Sequence, residues 1–172
     1  DDRVGEIGVA ALTNGNYVVR SSGWDDGTTA NVGAVTFASG TSGISGPVSS
    51  ANSLVGSSLT DSVGRVTALA NGNYVVSSQY WGTADVGAVT FGSGTTGISG
   101  VVSSSNSLVG TSPNDAVGLS ITALTNGNYV VRSSVWAPND LGAVTFGNGT
   151  TGVSGEVSSA NSLVGSTFND FV

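Results

Sequence analysis

One motif, met three times, limits what this chain can fold into more than any other feature. Leu12-Thr-Asn-Gly-Asn-Tyr-Val-Val19 returns as Leu69-Ala-Asn-Gly-Asn-Tyr-Val-Val76 and again as Leu124-Thr-Asn-Gly-Asn-Tyr-Val-Val131. A Trp follows each Tyr seven residues on, at Trp24, Trp81 and Trp136. Gly-Ala-Val-Thr-Phe then occupies 33–37, 87–91 and 142–146, Gly-Ile/Val-Ser-Gly occupies 43–46, 97–100 and 152–155, and Asn-Ser-Leu-Val-Gly closes each unit at 52–56, 106–110 and 161–165. Self-similarity at such a period means small supersecondary units that bury their faces against one another. We place the units at 1–59, 60–113 and 114–172 in one continuous array.

The spacings locate the loops. Phe37 and Phe91 lie 54 residues apart and Phe91 and Phe146 lie 55 apart, whereas 57 separate Leu12 from Leu69. The excess is mainly an insertion between Trp24 and Phe37, which marks that stretch as a tolerant surface loop. Within the first unit the pattern predicts four strands: Val9–Leu12, Tyr17–Ser22, Gly33–Phe37 and one around Ile44–Ser50. Asn14-Gly15 is a strong hairpin signal, and a type I′ turn there needs positive φ at both central residues. A four-stranded antiparallel meander recurring at this interval is the signature of a β-propeller blade. The alternative is a β-solenoid, with three coils of 19 residues to a spacing of 57, but the underlying period is 54–55 once the insertion is removed, and tight Asn-Gly hairpins belong to antiparallel pairing.

Composition removes most chemistry. The 172 residues include no Cys, His or Lys, which rules out thiolate and imidazole chemistry, Schiff bases and the usual soft-metal clusters. Charged residues are 9% of the chain, the net charge is −7, and the only cations are Arg3, Arg20, Arg65 and Arg132. Nucleic-acid binding needs a cationic surface to displace counterions, so that partner is excluded. The apolar residues come in short runs, well below the ~20 needed for a helical membrane span. The serines have no base to activate them. No catalytic residue is expected, and the chain is read as a non-enzyme.

The order Asn-Ser-Leu-Val-Gly, Asp-x-Val-Gly (Asp61, Asp115), Thr-Ala-Leu, Asn-Gly-Asn-Tyr-Val-Val and Gly-Ala-Val-Thr-Phe resembles the FG-GAP repeat of integrin α-subunit propellers. It also resembles the repeat arrays of bacterial haemagglutinin-like surface proteins. The resemblance implies a propeller, an extracellular or cell-surface address and a part in adhesion or surface structure. FG-GAP blades often carry an Asp-x-Asp-x-Asp-Gly calcium loop between their first two strands. The matching Thr13-Asn14-Gly15-Asn16 has no carboxylate, nor do its counterparts. Calcium takes about six to eight oxygens, usually including several carboxylates, so no cofactor is carried over.

Three features compete as sites. The recurrent Asp2, Asp61, Asp115 and Asp170 could hold calcium between units or cap turns through backbone N–H groups. Trp24, Trp81 and Trp136 could stack on sugar rings, one site per copy, or fill the space between units. Strand alternation puts Val18, Arg20, Ser22 and Trp24 on one face, so Arg20 beside Trp24, and Arg132 beside Trp136, suggest stacked guanidinium–indole pairs. The adjacent acids Asp25-Asp26 read as solvated loop, and the sequon at Asn148 as idle unless the chain passes a eukaryotic secretory route. The expected function is a non-catalytic, structural or adhesive surface module that self-associates, the alternative being a glycan-binding lectin centred on the Trp residues. Propellers typically use roughly four to eight blades, and the segments Asp1–Gly5 and Asn169–Val172 share one phase of the repeat. The working unit is therefore expected to continue into further repeats or to pair end to end with itself, with surface glycans or proteins as further partners.

Overall fold

The computed structural model describes residues 2–167, 169–170 and 172, so Asp1 and Phe171 of the phase-matched ends lie outside the described residues. The chain is nearly all β: three repeats, each built on a four-stranded sheet. In the first repeat β1 (Gly8–Ala11), β2 (Tyr17–Ser21), β3 (Ala34–Ala38) and β4 (Leu54–Val55) pair antiparallel in chain order. The second repeats this with β5 (Arg65–Ala68), β6 (Tyr74–Ser78), β7 (Ala88–Gly92) and β9 (Ser107–Val109). The third does so with β10 (Ser120–Ala123), β11 (Tyr129–Ser133), β12 (Ala143–Gly147) and β14 (Ser162–Val164). Two short strands, β8 (Gly100–Val101) and β13 (Gly155–Glu156), leave their own repeat and pair parallel with β4 and β9 of the repeat before. No helix among the described residues is long and apolar enough to cross a membrane.

Two sequence expectations need correction here. The fourth strand of the first unit is Leu54–Val55, not Ile44–Ser50. After β3 the chain turns through a Gly43 N–H to Ser39 carbonyl bond and runs wide of the sheet. Asn52 then reverses it: its side-chain oxygen accepts from Ser49 N–H (3.0 Å) and its amide donates to Pro47 carbonyl (2.9 Å). Ser53 then meets Thr36 hydroxyl to hydroxyl at 2.7 Å, buried, which seats the strand against β3. The hairpin is also not type I′. Gly15 alone has positive φ (88°), and its N–H bonds Leu12 carbonyl, while Leu12 N–H bonds Asn16 carbonyl. This is a three-residue turn ending in a left-handed glycine, the second common way of joining two strands.

The sheets stack face to face. The residues of the first sheet that point one way (Val18, Val35 and Leu54) join Leu12 in a buried cluster with Tyr74, Val76, Ala88 and Val109 of the second. The second sheet offers Leu69, Val75, Val89 and Leu108 to Tyr129, Val131 and Ala143 of the third. Period-two alternation therefore makes both faces of each sheet apolar, so the middle repeat is covered on both sides. Backbones approach closely at the seams. Gly33 (φ 75°) forms a parallel bridge with Val63, and a Cβ at that glycine would lie 2.2 Å from Val63 N. Gly87 and Val117 repeat the arrangement one unit on.

Candidate functional site

The recurrent aspartates are the best-defined polar elements of the molecule. Asp61 is 1% exposed, and its Oδ2 accepts from Ser57 and Ser58 N–H (2.8 and 2.9 Å) within its own linker. Its Oδ1 accepts from Gly82 N–H (2.9 Å), directly after Trp81, which follows the next sheet's β6. Asp115, equally buried, accepts in the same way from Thr111, Ser112 and Ala137 N–H, at 2.8, 2.8 and 2.9 Å. Asp2 accepts from Asp25 N–H, the position after Trp24 (3.3 Å). Asp61 and Asp115 thus each close the linker turn with one oxygen and reach the residue after the Trp of the following sheet with the other, a contact that Asp2 also makes. Asp170 bonds Ser166 and Thr167 N–H and the Thr167 hydroxyl, and these bonds, the hydroxyl first, hold its carboxyl below the usual range. Among the described residues no group of three or more His, Cys, Asp or Glu is placed to hold a metal.

The Asn-Gly-Asn turns carry a second ladder. Asn14 and Asn16 both donate from Nδ2 to Gly94 carbonyl of the second repeat at 2.7 Å, and Asn71 and Asn73 donate to Gly149 carbonyl of the third at 2.7 Å. The oxygen of Asn16 meanwhile accepts from Gly40 N–H (2.9 Å), as that of Asn73 does from Gly94 N–H (2.8 Å). Each side chain of this second Asn therefore works as donor and acceptor at once. A carboxylate could not donate, which is the physical reason these turns carry amides where a calcium loop would carry acids.

The Trp residues lie in the packing. Trp24 is 6% exposed and packs with Val32, Ala34 and Val55. Trp81 and Trp136 are half-buried against the inter-repeat cores, and their indole N–H groups are buried without a partner. The expected shared face of Arg20 and Trp24 does not exist. Strand β2 ends at Ser21, and a turn closed by Trp24 N–H on Ser21 carbonyl carries the indole to the Ala34 side. Arg20 stays on the opposite side and donates from Nη2 to Ile7 carbonyl (2.6 Å). Arg132 is exposed. Asp25 and Asp26 open a tight hairpin in which Asp26 and Thr29 exchange backbone bonds, and the Asn31 N–H holds the Asp25 carboxyl below its ordinary range. Asn148 accepts from Thr150 and Thr151 N–H (2.8 and 3.1 Å), so the sequon is a tight turn.

Sequence reasoning missed one concavity. A pocket of about 380 Å³ opens at the rim between the first two repeats, lined by Arg20 and Ser22 from one and Arg65, Ser77, Gln79 and Tyr80 from the other. The signal for it lay in the differences between copies rather than in their likeness. Tyr80 stands where the other copies have Gly23 and Val135, and Arg65 where they have Gly8 and Ser120.

No curated protein matches the chain. Segments 11–65, 68–119 and 123–172 each match a family described as a repeat of unknown function (DUF5650), and nothing in that match links the chain to FG-GAP or integrin-type repeats. With its three tandem copies covering most of its length, the chain belongs to this DUF5650 repeat family.

Proposed function

We propose that this chain is a non-catalytic structural or adhesive module of an extracellular or cell surface, and that its working state is a larger stack of the same units. The observation that carries this reading is the fate of one repeated leucine. Leu54 and Leu108 are 0% exposed because the next repeat covers them, whereas Leu163, their counterpart in the third repeat, is 70% exposed. Around it Phe146 is exposed and Val130 and Val144 are only half-buried. At the other end Val4, Val9 and Ile44 lie exposed on the first repeat. Covering one such leucine stabilises an interface by about 1.5–3 kcal/mol, and contiguous exposed apolar faces mark interaction surfaces. The open edge of β14 adds unpaired backbone groups to the same end. Pro47, which replaces Val101 of the second copy, is compatible with a further copy in front: in the internal junction the donors are Gly100 N–H and Val102 N–H, not that of Val101.

Face-to-face stacking of four-stranded meanders is how propeller blades pack, and we read the units as blades of an arc that other copies extend. The parallel pairs of β8 and β13 are the feature a solenoid would share. Light scattering tests the assembly. The expected result is a mass above the monomer at micromolar concentration that falls to the monomer in Leu163→Glu, with the circular dichroism of the fold unchanged. A wild-type monomer throughout that range overturns the reading. Glycan binding centred on the three Trp residues finds less support, since Trp24 has almost no exposed ring to offer.

A further inference from the structure

Only four cations occur in a chain of net charge −7, and their placement is uneven. Arg3 sits 3.7 Å from Glu6, and Arg132 stands exposed on the third repeat. The remaining two, Arg20 and Arg65, converge on one pocket at the rim between the first and second repeats. No carboxylate lines that pocket, and Glu6 on its margin accepts from Ser22 Oγ (3.0 Å) and Gly23 N–H. Arg20 is anchored through Nη2 on Ile7 carbonyl, while its Nε is buried with no partner. Arg65 is exposed, and its side chain makes no ion pair or hydrogen bond among the described residues. Two guanidinium groups facing one space repel each other until an anion enters, and each can bind a carboxylate through two parallel N–H donors.

The rest of the lining is not what a bare ion needs. Ser22, Ser62 and Ser77 bring hydroxyls, Gln79 an amide, and Tyr80 a 51% exposed aromatic ring. Hydroxyls and amides suit the hydroxyls of a sugar, and an exposed tyrosine offers an apolar face with a polar tip. At about 380 Å³ the space falls in the size range of small-molecule sites. The same place between the second and third repeats lacks the set: Arg20 becomes Ser77, Arg65 becomes Ser120 and Tyr80 becomes Val135. Stacking the repeats demands none of these three side chains. We infer that this pocket binds an acidic sugar, its carboxylate held between Arg20 and Arg65 and its ring against Tyr80. The site occurs once among the described residues, and Arg20, Arg65 and Tyr80 are not among the side chains of the open end faces, so it stands independently of self-association.

The test is a titration of the uniformly labelled chain followed by amide NMR, with sodium glucuronate as the probe and glucose, acetate and sulfate as comparators. Glucuronate should shift the amides of Arg65, Gln79 and Tyr80 saturably, with a dissociation constant on the order of millimolar, and added salt should weaken it. Arg65→Ala, whose side chain has no partner to lose, should fold as the wild type and bind at least tenfold more weakly, and Tyr80→Ala should weaken glucuronate more than acetate. No saturable shift with glucuronate, equal shifts with glucose, sulfate binding as tightly as glucuronate, or unchanged affinity in Arg65→Ala would each overturn the assignment.

Discussion

Replacing Asp115 by Ala separates the two roles open to the recurrent aspartate. The carboxylate is 1% exposed and accepts three backbone N–H bonds of 2.8–2.9 Å, two from its own linker turn and one from Ala137, after Trp136 of the following sheet. Hydrogen bonds to a charged group are worth about 1.5–3 kcal/mol each, and a buried donor left without a partner costs about 1–3 kcal/mol. Thr111 is exposed and Ser112 half-exposed, so water can replace the carboxylate there. The half-buried Ala137 N–H is less easily satisfied. The expected loss is about 3 kcal/mol, a large share of the roughly 5–15 kcal/mol that holds a domain folded. For a chain of this size it should appear as a fall in Tm of roughly 6–12 °C. Asp115→Asn should lose about half as much, because its carbonyl keeps Thr111 and Ser112 while its amide points a donor at the Ala137 donor. Urea unfolding followed by Trp fluorescence reads both variants, repeated with calcium and with a chelator. A loss below about 0.5 kcal/mol in Asp115→Ala would refute the capping argument. So would a wild-type stability that depends on calcium, because the carboxylate would then be acting as a metal ligand.

Two further outcomes follow from the stacked cores. A Cβ at Gly92 would fall 2.2 Å from Tyr74 Cζ, in a ring that is fully buried between repeats; Gly92→Ala should therefore cost about 1–3 kcal/mol by overpacking. Ala38, the same position in the first copy, faces the half-buried Tyr17 on the open end, and Ala38→Gly should cost no more than about 1 kcal/mol; equal effects in urea unfolding would contradict the account. Burial also pushes the Tyr74 and Tyr129 phenols up to about 12. Between pH 10 and 12 the unfolded chain loses protons that the folded chain keeps, so stability is intact below 10 and falls as pH rises, by about 1.4 kcal/mol per pH unit for each tyrosine. Urea midpoints measured across that range should show the slope, and Tyr74→Phe with Tyr129→Phe should flatten it; a slope unchanged in the double variant would refute burial as its cause.

What the sequence disclosed depended on how local the determining physics was. Strands β1 to β3 were readable because alternation and the Asn-Gly turn act over a few neighbouring residues. Strand β4 was not, since two residues carry no periodicity and their place is set by Asn52 reversing the chain and by Ser53 meeting Thr36, both contacts made only on folding. Alternation carried three residues past the end of β2 puts Trp24 on the wrong face, because the chain there runs through a turn that rotates it. The Asn-Gly pairs mark the turns, yet the Asn bonds to Gly94 and Gly149 depend on a neighbour roughly eighty residues away, invisible to any local window.

The same reasoning explains why function is hardest to read in the most repetitive parts. Positions identical in all copies, such as the Leu, Val and Asp just described, are accounted for by the contact each repeat makes with the next, and stacking alone suffices to explain them. Information beyond stacking can reside only where copies differ while the contact survives. Ala38 against Gly92 and Gly147 is one such difference, and packing explains it: the glycine is needed only where a neighbouring repeat presses the tyrosine down. Arg65 and Tyr80 are differences that packing leaves unexplained, for both are exposed and Ser120 and Val135 serve equally well at the next junction. That two such departures, together with Arg20, border a single pocket is the reason to look for a ligand there rather than at the Trp that every copy shares.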